Sequence, residues 1–112
     1  MTQYLISFDD GTMIIPAGEL PDVAKAAGQV VQEAREAGVW LFSGGLESQR
    51  ASIVATDGTV TDGPYPETKE VIGGFAVVDV PSREEALRWA AKIAVACRCP
   101  QEVRVLLPDP TT

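Results

Sequence analysis

Tyr65, Glu67, Lys69 and Glu70 crowd four polar tips into six positions of the stretch TDGPYPETKEVIGGFAVVDV, residues 61 to 80. A carboxylate and an amine set across a pocket can accept and donate a proton, or hold a carboxylate ligand. The same residues also suit a solvated loop, with Lys69 weakly paired to a neighbouring glutamate. Asp62 has two readings as well. Asp62-Gly63-Pro64 is tight-turn chemistry in any protein, yet the aspartate also stands at the edge of the polar cluster. Asp62, Tyr65, Glu67, Lys69 and Glu70 are therefore the candidate polar contacts. Trp40, Phe42, Gly44, Gly73, Gly74 and Phe75 are the candidate pocket walls. Gly73-Gly74 interrupts an apolar strand, which marks a bulge or a close approach by a ligand or another backbone. Gly44-Gly45 admits the same readings. Neither pair belongs to a phosphate-binding signature.

Other chemistry is sparse. The chain has no histidine, which removes imidazole acid–base catalysis, and no catalytic residue is assigned. Asp9-Asp10 offers an acidic pair for a hard cation, but the following glycine makes it turn chemistry. Cys97 and Cys99, separated by Arg98, lack the further ligands a structural zinc needs. Cys97 fits a buried helical stripe, whereas Cys99, just beyond the helix, is the more reactive thiol by position. No metal and no cofactor is expected.

The 112 residues suffice for one domain with one core. A net charge of −7 and scattered basic residues argue against nucleic acid and against an anionic membrane surface. The N-terminal MTQYLISFDDG carries no basic leader or long apolar segment, so a cytoplasmic location is expected.

The elements that must position the candidates follow from periodicity. Residues 3 to 8 alternate as a strand, and 12 to 21 form a loop. A helix is predicted over 22 to 37, N-capped by Asp22, burying Val23, Ala27, Val30, Ala34 and Ala37 and stopped by Gly38. Residues 39 to 44 form a second strand. Strands at 52 to 55 and 59 to 61 form a hairpin around a two-residue Asp57-Gly58 turn. A long strand spans 71 to 80. Ser82 and Glu85 form a capping box for a second helix, with Leu87, Ala90, Ala91, Ala94 and Cys97 as its stripe. A last strand covers 102 to 107. Without the hairpin this is the βαββαβ order of a ferredoxin-like α+β fold, an antiparallel sheet with both helices on one face. The uncovered face then needs a second layer, and a homodimer through that face supplies it.

Asp62-Gly63-Pro64-Tyr65, Glu67-Thr68-Lys69-Glu70, Gly73-Gly74-Phe75 and Asp79 together resemble the signature of the DGPF branch of the YCII-related family. Ala37-Gly38, Gly44-Gly45-Leu46, Glu85-Ala86-Leu87 and Trp89-Ala90 are also similar, so the resemblance spans about Gly38 to Val105. It implies a dimeric α+β barrel built on a ferredoxin-like protomer. Some relatives are enzymes, or are proposed to be, that use a histidine and an aspartate near the sheet; that mechanism does not carry over to a histidine-free chain. Two functions follow as expectations: a binder or transformer of a small organic molecule beside the Asp62–Glu70 loop, or a non-catalytic regulatory or interaction module of the kind found alongside alternative sigma factors.

Overall fold

In the computed structural model, residues 1–47, 51–64 and 71–108 are described. Strand β1 (Thr2–Asp9) leads to helix α1 (Leu20–Glu36) and strand β2 (Trp40–Gly45). The hairpin β3 (Ala51–Val54) and β4 (Val60–Gly63) comes next. Strand β5 (Ile72–Val80), helix α2 (Arg83–Cys97) and strand β6 (Glu102–Val105) complete the chain. The sheet order is β2-β5-β1-β6, with every pair antiparallel, and β3-β4 forms a separate two-stranded ribbon. This is the ferredoxin-like order, with the β3-β4 ribbon inserted.

Strand alternation fixes what faces the helices. Tyr4 and Ile6 of β1 and Ala76, Val78 and Val80 of β5 form a buried cluster with Ala86 and Ala90 of α2. Val39, Trp40, Trp89, Ile93 and Val103 pack against its margins. The side chains of Leu5, Val77 and Phe42 alternate to the opposite face, which no helix covers.

Four local expectations are corrected. Helix α1 begins at Leu20 with Glu19 as N-cap, and Pro21 in its first turn needs no amide donor there, so Asp22 sits inside the helix. Ala37 is the exposed C-cap residue, followed by Gly38 at φ +75°. In α2 the sheet-facing stripe is Ala86, Ala90 and Ile93; Leu87 is 44% exposed. Five alanines give this helix so little contrast in size that its single leucine misled the phase. The hairpin turn is wider than two residues. Ala55 donates to the Thr59 carbonyl, Thr59 donates to the Asp57 carboxylate at 2.9 Å, and only Gly58 takes positive φ. That is a three-residue loop closed by a left-handed glycine. The serine half of the capping box is as expected, its hydroxyl accepting the Glu85 amide at 3.2 Å, whereas the Glu85 carboxylate accepts from Arg88.

Candidate functional site

Between the sheet and the two helices lies a cavity of about 210 Å³. Ile6 and Ala76 form its base on the sheet, and Phe8 borders it from the end of β1. Ala27, Val30 and Val31 of α1 and Ile93 and Cys97 of α2 contribute the opposite wall. Trp40, Ser43, Gly44, Gly45 and Phe75 line it from β2 and β5, and Gln101 lies just before β6. No aspartate, glutamate, lysine or arginine is among these residues. The polar side chains are the Ser43 hydroxyl, the Cys97 thiol and the Gln101 amide.

Local sequence explains the shape. The small side chain of Ala27 in α1 leaves space that a larger one would fill. The glycine pair of β5 seats one wall. Phe8 pairs with Gly74, and the next partners are Asp9 and Ile72, so Gly73 is the extra residue of a bulge. The Phe8 ring lies over both glycines: a Cβ on Gly74 would stand 2.6 Å from Phe8 Cε1, and one on Gly73 would stand 2.9 Å from the Asp10 Cα. Both readings of Gly73-Gly74 thus meet at one place, a bulge and a close approach by the chain's own aromatic ring.

Each candidate can now be placed. Trp40, Gly44 and Phe75 line the cavity. Phe42 lies on the uncovered sheet face, its ring edge-on to Phe75 with centroids 5.7 Å apart. Gly73 and Gly74 are buried beneath Phe8 rather than lining the space themselves. Asp62 is exposed on β4, paired with Ser52, so Asp62 and Gly63 belong to a strand instead of a tight turn. Tyr65, Glu67, Lys69 and Glu70 lie outside the described residues. β2 and β5 are neighbours with Gly45 opposite Gly74, but of the two glycine pairs only Gly44-Gly45 lines the cavity.

The cysteines exchange roles. Cys99 is only 5% exposed, so it is not the accessible thiol that its position suggested. The Gln101 amide donates to its sulfur at 3.4 Å and to its carbonyl at 3.3 Å. Cys97 is half-buried and lines the cavity. Burial pushes the Cys97 thiol up, with the adjacent Cys99 adding to the effect. Burial raises Cys99 too, against the opposing effect of hydrogen bonds from Thr12 and Gln101. Both sulfurs are therefore neutral thiols near neutral pH.

Ile6, Phe8, Ser43, Ile93 and Gln101 carried no sequence signal as pocket residues. Their types are those of any core or strand end. Ala27, Val30 and Cys97 stood in the helical stripes, which located a buried face but not the gap within it.

On the uncovered face, Asp79 alternates with Val78 and Val80 and lies opposite Gln3. Its Oδ1 atom is inaccessible and has no hydrogen-bond partner among the described residues. Also among the described residues, no three metal-ligating side chains cluster, and no helix is long and apolar enough to cross a membrane.

Comparison with known proteins agrees with this architecture. No curated protein sequence gives a match. Among solved structures, the chain is similar to 5-chloro-2-hydroxyhydroquinone dehydrochlorinase from Burkholderia phenoliruptrix AC1100, in complex with 2,5-dihydroxybenzoquinone. The TM-score is 0.54 at 14% sequence identity, and the alignment covers 97% of each chain. The family model of the YCII-related domain matches residues 15–105, most of the chain, and the protein belongs to that family.

Proposed function

We propose that this protein binds a small, uncharged organic molecule in the cavity between its sheet and helices. The observation that carries the reading is the lining: about 210 Å³ bounded by apolar side chains, with only a hydroxyl, a thiol and an amide for orientation among the described residues. A charged ligand would lose its hydration there without gaining a counter-charge, which costs several kcal/mol. Size sets a further limit. A cavity of about 150 Å³ accepts benzene, so this one suits a single substituted ring or an aliphatic molecule of similar bulk. The related dehydrochlorinase holds 2,5-dihydroxybenzoquinone, a one-ring compound of that size class.

Among the described residues, no group lining the cavity is ionised near neutral pH, so these residues support binding and orientation rather than proton transfer. Tyr65, Glu67, Lys69 and Glu70 stay candidates for ligand contacts, whereas Asp62 is exposed on the ribbon and does not line the cavity. The partner in this reading is a second copy, joined through the uncovered sheet face. Phe42 there is 56% exposed, and the Asp79 oxygen on the same face lacks a donor. A buried acceptor left unpaired is costly, and a partner surface can satisfy it.

A thermal-shift screen tests the ligand. Neutral one-ring compounds at about a hundred times their Kd should stabilise the protein by about 2.7 kcal/mol, a rise of several degrees. Their carboxylated analogues should give no rise. Ala27→Leu fills the cavity and should abolish the shift. A response to the carboxylates alone, or an undiminished shift in Ala27→Leu, overturns the reading.

A further inference from the structure

Among the described residues, nothing gives the β3–β4 ribbon the support that such a ribbon needs. A two-stranded hairpin is marginal in water and requires a third strand or a packed face. Here the two strands pack on each other, and neither makes more than a marginal contact with any other element. Val54 and Val60 are directly opposite in register, a cross-strand apolar pair, and they are 66% and 63% exposed. On the other side of the ribbon Ile53 folds over Gly63, where a Cβ would approach its Cγ1 to 3.0 Å. One face of the ribbon is thus internally packed, and the other presents the two valines to solvent, with Ser52 and Asp62 beside them.

The protomer is extended to match. Its radius of gyration is 15.8 Å, against about 13 Å for a compact chain of this length. The principal extents are 44 × 44 × 19 Å, a slab only two layers thick.

We propose that the β3–β4 ribbon is an arm that packs its Val54–Val60 face on a second copy of this chain. The inference rests on the homodimer reading and adds the surface that completes it. From strand spacing and rise, the uncovered face of the four-stranded sheet measures roughly 19 by 23 Å, or about 450 Å² in projection. Even with surface relief, that is at the low end of the roughly 800 Å² per partner in a stable interface. An isologous dimer uses each surface twice, so two arms add two valine pairs to the buried area. A second copy also offers what an unrelated partner need not: an apolar sheet face with its own unpartnered carboxylate oxygen at Asp79.

Sedimentation velocity across the micromolar range tests this with the full chain. Wild type should sediment as two chains. Val54→Lys/Val60→Lys changes residues already exposed in the protomer, so its circular dichroism should match wild type. Four buried lysines per dimer should weaken association by roughly a hundredfold or more. Hydrogen exchange on wild type gives a second readout: amides of 51–54 and 60–63 should gain protection as concentration rises. A wild-type dimer whose V54K/V60K variant stays dimeric, with concentration-independent exchange in the ribbon, overturns the arm and leaves the dimer standing. A wild-type monomer overturns both.

Discussion

Gly74→Ala is the sharpest perturbation of the wall beside the cavity. The added methyl carbon would stand 2.6 Å from Phe8 Cε1 and 2.7 Å from Phe8 Cζ. Carbon pairs rest at about 3.5–4.0 Å, so the ring must retreat by roughly 1 Å. The strand has little room to yield in the other direction, because the Gly44 carbonyl oxygen would be 3.3 Å away. Phe8 borders the cavity, and displacement into that space is the available relief. Overpacking of this kind costs about 1–3 kcal/mol. Replacing glycine with alanine where there is space works the other way, stabilising by about 0.4–1 kcal/mol through the unfolded chain. Urea denaturation of four proteins separates the effects: wild type, Gly74→Ala, Phe8→Leu and the double variant. Gly74→Ala should be destabilising in wild type and neutral or stabilising once the ring is gone, a coupling of at least about 1 kcal/mol. It should also shrink the thermal shift given by a cavity ligand. Equal cost in both backgrounds, or no cost in wild type, would show that Phe8 does not hold the glycine pair as described.

Three further outcomes are measurable. Alkylation of Cys97 should be slow at neutral pH, speed up as pH rises above the ordinary thiol range, and slow again when a cavity ligand is bound; fast modification at pH 7 unaffected by ligand would refute its placement. The native state holds the Cys97 proton more tightly than the unfolded chain, so between the two pKa values it binds more protons, and stability should fall as pH rises through that alkaline window, read by urea midpoints. Ser82→Ala removes the hydroxyl that accepts the Glu85 amide and should cost about 1 kcal/mol, whereas Ser82→Asp should retain most of the stability; equal losses in the two variants would rule out capping.

Where local chemistry dominates, the sequence was sufficient. Alternation in 3 to 8, the apolar run in 71 to 80, the Ser82 cap and the Gly38 stop placed the strands and helices of a ferredoxin-like protomer within a few residues. The motif from Asp62 to Asp79 pointed to the family. These are features of neighbouring residues, whose backbone preferences are written in a few side chains. The direction of Cys99, the phase of α2 and the true partner of Gly73-Gly74 depend on residues far apart in the chain. So does the cavity. It exists because small residues of α1 cross β2 and β5 beside a ring from β1, and a void has no residue of its own to announce it. The polar cluster from Tyr65 to Glu70 drew attention by composition. The lining was decided by packing, which placed a thiol, a hydroxyl and an amide among apolar walls and left every ionised side chain of the described residues outside.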